Sequence, residues 1–235
     1  MNSLSENLSD IRRRIDAACI RVGRDANDVK LVAVSKTHPA GVIRDAIQIG
    51  STVFGENKVQ EAEAKILVVG REAAEWHLIG HLQSNKARKA VQLFDVIQSV
   101  DSVELATRLE RICIEDGREE LPVLVQLDLG GEATKSGISE GDLPELAEYL
   151  QDCERLRFTG LMILPPWNDL PEATRPYFRR LREIRDEYES RHLFADGRGE
   201  LSMGMSHDFE VAIEEGATIV RVGTAIFGER QYNRA

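Results

Sequence analysis

A lysine stands where an apolar run ends: Lys30-Leu31-Val32-Ala33-Val34-Ser35-Lys36-Thr37-His38-Pro39. Pro39 cannot continue a strand ladder, so the strand is expected over Leu31–Ser35. Alternation puts Lys36 on the face of Val32 and Val34. If those valines face a core, the amine emerges partly desolvated at the mouth of that core. An unperturbed lysine, with a pKa of about 10.4, is neutral at pH 7 roughly one time in 2,500. Burial or a neighbouring cation raises that fraction and makes the amine a nucleophile. Taken alone, Lys36 reads better as a solvated lysine just past a strand, and the rest of the chain has to change that reading.

Two further stretches carry chemistry. Ser202-Met203-Gly204-Met205-Ser206 supplies a small loop, a hydroxyl and free amides. Arg221-Val222-Gly223-Thr224 places a glycine before a short helix, whose exposed N–H groups favour an anion. Glycine lets a backbone approach a phosphate closely. Arg221 shares a strand face with Ile219 and Gly223, which sets a permanent cation under such a ligand; a buried salt-bridge arginine is the alternative. His81 reads as a ligand contact or a helix cap, His77 as packing, and Ser206 also as the N-cap of a helix at 209. The run Gly131-Glu-Ala-Thr-Lys135-Ser136 lacks the glycine a nucleotide P-loop needs before its lysine. No His-Glu-x-x-His or Cys/His cluster argues for a metal.

The elements that must position these groups alternate along the chain. After an amphipathic helix over residues 5–23, strands are expected at 31–35, 52–54, 75–79, 95–99, 122–127, 157–162, 200–203 and 218–222. Helical patterns follow at 41–49, from 58, and at 84–93, 103–115, 143–151, 171–189, 209–214 and 224–227. Alternating strand and helix implies parallel strands with right-handed crossovers. Eight units in 235 residues fit a single (β/α)8 TIM-type barrel with an extra N-terminal helix, forming one domain over 1–235. A doubly wound sheet would want G-x-G-x-x-G after the first strand, which is absent. In a barrel, chemistry sits at the carboxyl ends of the strands, and phosphate sites form after strands seven and eight. Lys36, Arg221 and both glycine loops fall at such ends.

Lys and Arg number 30 and Asp and Glu 40, a net charge of −10. That argues against a nucleic-acid binder or a polybasic membrane protein, though not against a local cationic site. The polar N-terminus suggests no signal peptide, and no apolar run approaches a membrane span. Cys19, Cys113 and Cys153 are too few and too scattered for a disulfide framework, so a cytoplasmic setting is expected.

The sequence resembles the pyridoxal phosphate homeostasis protein family, single-barrel relatives of the N-terminal domain of alanine racemase. The matching stretches are Val32–Lys36, Phe54–Glu61, Trp76–Lys86, Gly131–Gly137, Gly160–Met162, Leu201–Asp208 and Val220–Gly228. The resemblance implies pyridoxal 5′-phosphate (PLP) bound as an internal aldimine on Lys36. By match, Ser206, Gly223 and Thr224 hold its phosphate, Arg221 faces the pyridine nitrogen, and Asn57 and Met162 lie near the ring.

PLP is the stronger electron sink when its ring nitrogen is protonated, and an arginine, keeping its own proton, leaves that nitrogen unprotonated. Alanine racemase has the same arginine and adds a tyrosine base from a second domain. Tyr149, Tyr177, Tyr188 and Tyr232 all fall on expected helices or the tail. The expectation is therefore a monomeric carrier or regulator of PLP in vitamin B6 and amino-acid balance, with PLP-requiring apoenzymes as recipients. The alternative is a weak PLP-dependent amino-acid racemase using Lys36 as a base. Lys86 and Lys135 read as solvated charges.

Overall fold

The structure is a computed structural model, and it describes residues 3–131 and 136–228. Eight parallel strands close on themselves in chain order. They are β1 (Lys30–Val34), β2 (Val53–Glu56), β3 (Glu75–Leu78), β4 (Val96–Val100), β5 (Leu121–Leu127), β6 (Leu156–Ile163), β7 (Glu200–Met205) and β8 (Ile219–Val222). Closure is made by β1, whose Lys30–Ala33 pair with Ile219–Val222 of β8. A ring of this kind leaves no unpaired strand edge to aggregate. The expected (β/α)8 barrel is therefore observed.

The outer layer is α1 (Leu4–Arg21), α2 (Ala40–Gln48), α3 (Val59–Val69), α4 (Ala87–Leu93), α5 (Val103–Asp116), α6 (Leu143–Gln151), α7 (Arg175–Ser190), α8 (Phe209–Glu214) and α9 (Thr224–Phe227). The extra helix α1 begins with a capping box between Ser3 and Glu6, which satisfies otherwise orphaned amides. Its apolar stripe, Leu8, Ile11, Ile15, Ala18 and Cys19, is buried. Asn7 donates to the carbonyl of Ile226 in α9 at 2.9 Å, and Arg14 and Arg21 pair with Glu210 and Glu214 of α8. Thus α1 braces the C-terminal end of the barrel wall, where β8 and α9 carry expected ligand residues. Helix α7 looks charged throughout in sequence, yet Phe178, Leu181, Ile184 and Tyr188 form a narrow buried stripe.

Three boundary differences have physical causes. β2 runs on to Glu56 rather than stopping at Phe54, because Glu56 finds partners inside the wall. β7 extends to Met205, its Gly204 adopting φ 89°. The helix expected at 171–189 starts as a 3-10 turn over Pro171–Thr174 before α7 proper.

The lumen is filled in two ways. Val32, Val53, Val96, Leu124, Met162 and Ile219 form an apolar inner cluster, separate from the larger core between strands and helices. Beside it lie wholly buried polar residues, His77, Gln98, Ser202 and Arg221. Glycine is needed where backbones meet: a Cβ on Gly160 of β6 would sit 2.3 Å from the carbonyl oxygen of Glu200 in β7. Backbone cannot yield as a side chain can, so Gly160→Ala is expected to cost about 3 kcal/mol. Gly117→Ala, with φ 69° but open space around it, is expected to cost about 1 kcal/mol. Urea unfolding of both variants checks the ranking.

Candidate functional site

A cavity of about 640 Å³ opens at the carboxyl ends of the strands. Lys36, Asn57, Ser206, Arg221, Gly223 and Thr224 all line it. Seven residues singled out from the sequence thus include six that the fold brings to one cavity. The seventh, Met162, is wholly buried in the apolar inner cluster below. Strand β6 extends past it to Ile163, and Leu164, packed on that cluster, reaches the cavity instead. His81 is exposed and lies 3.6 Å from Asp101, and neither it nor Lys86 lines the cavity. Lys135 and Tyr232 lie outside the described residues.

Lys36 is half-buried and sits two residues beyond the end of β1, in a tight turn closed by the His38 amide donating to the Ser35 carbonyl at 3.0 Å. Thr37 in this turn has φ 69°, a left-handed backbone that a β-branched residue adopts only under constraint. The constraint is a buried cluster on β2 and α3. Lys65 Nζ donates to the Ser35 carbonyl at 2.8 Å and pairs with Glu56 and Glu61, each at 2.7 Å. The Ser35 hydroxyl donates to Glu56 at 2.6 Å, and the Thr37 amide donates to Glu61. The residues before and after Lys36 are thus both tied to one ion cluster, which fixes where the amine projects.

Burial pushes the Glu56 carboxyl up despite Lys65, and its second oxygen is buried with no hydrogen bond among the described residues. Burial also opposes ionisation of Glu61, but bonds from Lys65 and Thr37 hold it below the usual carboxylate range. Glu56, Glu61 and Lys65 escaped sequence reading. The available signal was Glu56 itself, a carboxylate inside an apolar strand that demands a buried cation.

The opposite wall carries a hydroxyl and backbone amides. Ser206 Oγ accepts from the amides of Gly223 at 3.2 Å and Ala225 at 3.4 Å. This hydroxyl therefore joins the β7 loop to the start of α9 rather than capping α8, whose preceding residue is Asp208. Asp208 in turn accepts from the Met205 amide at 2.7 Å and holds the loop. Gly204 is required, since a Cβ there would lie 2.6 Å from Ala212 Cβ. Amides and a hydroxyl gathered at a helix start are groups whose chemistry suits an anion.

Arg221 is 2% exposed. It donates to Ser202 Oγ at 2.5 Å and to the Ile163 carbonyl at 2.7 Å, and no carboxylate bonds to it among the described residues. Burial pulls its pKa down to about 10, opposed by the charge of Asp208, so it stays cationic at neutral pH. The salt-bridge alternative is therefore not what the structure shows. A buried cation lacking an adjacent anion favours a ligand with negative or electron-rich groups. At the rim, the exposed Trp167 packs on His207 with ring centroids 4.9 Å apart.

An amine at the rim, a buried guanidinium and a loop of amides and a hydroxyl line one cavity of a parallel barrel, groups that suit a small phosphorylated molecule. The sequence model of the alanine racemase N-terminal domain matches residues 4–231. A pyridoxal phosphate homeostasis protein of Aquifex aeolicus (strain VF5) is 45% identical, the match covering 97% of this chain and 98% of that one. One from Escherichia coli (strain K12) is 41% identical over the full length of both. The solved structure of PipY from Synechococcus elongatus PCC7942 with PLP bound is 39% identical, with a TM-score of 0.80, covering 96% of this chain and 100% of that one. The chain belongs to the pyridoxal phosphate homeostasis protein family, within the wider family of the alanine racemase N-terminal domain.

Lys65→Met leaves Glu56 buried without its cation, and removing one partner of a buried pair costs about 3–5 kcal/mol. The Glu56 carboxyl, already raised by burial with Lys65 present, is raised further above its unfolded value in the folded variant. Such a group stabilises below the unfolded pKa and loses that contribution as pH rises through the folded one. Lys65→Met is thus expected to recover part of its deficit relative to wild type between pH 7 and pH 5, measured as urea midpoints at both values.

Proposed function

We propose that this chain binds pyridoxal 5′-phosphate at the strand-end cavity through Lys36 and serves as a carrier and regulator of intracellular PLP. The observation that carries the reading is convergence. A half-buried amine, a buried cation with no adjacent carboxylate, and a hydroxyl with helix-start amides all line one cavity. These groups match the aldehyde, ring and phosphate of PLP in kind. Ser206, Gly223 and Thr224 would hold the phosphate, Lys36 would engage the aldehyde carbon, Arg221 would serve the ring nitrogen, and Asn57 would flank the ring. Met162 contributes the apolar layer on which Leu164 packs. When bound, PLP supplies an electrophilic carbon conjugated to an electron-accepting ring.

Carriage is favoured over turnover by what the chain sets around that ring. Arg221 keeps its proton and so does not protonate the ring nitrogen. Tyr149, on α6, and Tyr177 and Tyr188, on α7, do not line the cavity, so among the described residues no tyrosine offers a second base. The same reading takes residues 1–235 as one domain, monomeric and cytoplasmic, handing PLP to PLP-requiring apoenzymes. Buried thiols at Cys19 and Cys113, with pKa values raised by burial, suit a reducing compartment. No helix among the described residues is long and apolar enough to cross a membrane.

The test is a PLP titration read by visible absorption, with borohydride reduction and intact mass. The wild type is expected to turn yellow, bleach on reduction and carry the reduced cofactor on Lys36, while Lys36→Ala carries no adduct there. A wild type that stays colourless with excess PLP would overturn the reading. Alanine racemisation abolished by Lys36→Ala would replace carrier by racemase.

A further inference from the structure

A line of hydrogen bonds runs through the barrel from one mouth to the other. At its upper end Arg221 Nη1 donates to Ser202 Oγ at 2.5 Å. Ser202 Oγ is 2.6 Å from Gln98 Oε1, which crosses the lumen from β7 to β4. Gln98 Nε2 is 2.6 Å from His77 Nδ1, and His77 Nε2 is 2.7 Å from Glu75 Oε1. The same oxygen receives Lys30 Nζ at 2.9 Å. His77, Gln98, Ser202 and Arg221 are all within 2% of fully buried. Glu75 and Lys30 line a second cavity, of about 530 Å³, at the amino-terminal ends of the strands.

The protons in this line have one consistent placement. Bonds from His77, with Lys30 adding to them against burial, hold Glu75 at a pKa of about 2, so it is a carboxylate and accepts only. Burial pushes His77 down, against the pull of Glu75, which favours the neutral ring with one N–H. That hydrogen must sit on Nε2, facing Glu75. His77 Nδ1 then accepts, so the Gln98 amide nitrogen donates to it. Gln98 Oε1 is left to accept from the Ser202 hydroxyl, whose oxygen accepts from Arg221. Every donor points away from Arg221 and toward Glu75, and each bond polarises the next.

We propose that Ser202, Gln98, His77 and Glu75 are positioning residues, a one-way relay that links Arg221 to a carboxylate at the opposite mouth and fixes the orientation of its guanidinium toward the ligand. The relay explains how Arg221 is held in the lumen with no acid beside it. Its link to the ligand rests on the PLP reading above; its proton order does not.

Two measurements test it. In cofactor-free protein, ¹⁵N–¹H correlation spectra of the histidines are expected to show His77 neutral with its proton on Nε2. A proton on Nδ1 would reverse the line and overturn the relay. In PLP-loaded protein, Glu75→Leu and Gln98→Leu are each expected to shift the visible band and weaken PLP binding by about tenfold, the scale of one lost hydrogen bond. The double variant is expected to be no weaker than either single one, because both interrupt one line. Losses that multiply, or a Glu75→Leu protein with wild-type band and affinity, overturn the proposal. Ser202→Ala replaces Gln98→Leu should the latter fail to fold. Borohydride labelling of Lys36 in each variant separates the two readings: if the wild type takes up no PLP, the functional proposal falls and the His77 tautomer alone decides the relay.

Discussion

A guanidinium sunk in the wall of a parallel barrel is almost cut off from solvent, so the protein must supply its partners. That requirement organises the lumen. The apolar inner cluster occupies only part of the interior, and the remainder is given to Ser202, Gln98 and His77, which together satisfy one another and Arg221. A half-satisfied polar line would cost more than an apolar filling, which is why its members must be connected from end to end. The open side of Arg221 faces the cavity, where the ligand proposed above would meet it.

Lys36 is governed by a second buried cluster with a different logic. Arg221 is approached by neutral groups, whereas the turn carrying Lys36 is gripped by an ion pair and its satellites, Glu56, Lys65 and Glu61. Each carboxylate does two jobs, neutralising Lys65 and bonding to a residue next to Lys36. The left-handed Thr37 shows that local preference alone would not make this turn. The placement of the amine is thus a tertiary property, set by the docking of α3 against β2.

The barrel was legible in the sequence because each strand and helix declares itself within a short window, and a count of eight leaves few topologies. Lys36, Arg221 and the two glycine loops were legible because strand ends in such a fold share one face. What escaped were the partners. His77 reads as packing because its neighbours Trp76 and Leu78 are apolar, and nothing local says that Gln98, on another strand, meets it. Lys65 sits among helix residues that read as solvent-facing, and only the closed wall shows it reaching Ser35. Met162 lies in the inner cluster, the end of β6 falls one residue beyond it, and Leu164 is the neighbour that reaches the cavity. Periodicity reveals which face a residue takes, but not its height along the barrel or its partner across the lumen.

The two tryptophans of this chain report on different worlds. Trp76 is sealed between strand and helix, against Phe54, at 0% exposure, while Trp167 is 68% exposed and packs on His207 at the cavity rim. Their emission should therefore divide into a blue, unquenchable component and a red one open to soluble quenchers. A chromophore in the cavity that absorbs where tryptophan emits would lie next to the second. The rim gives the protein a built-in optical gauge of its own occupancy, with the buried indole as the internal reference.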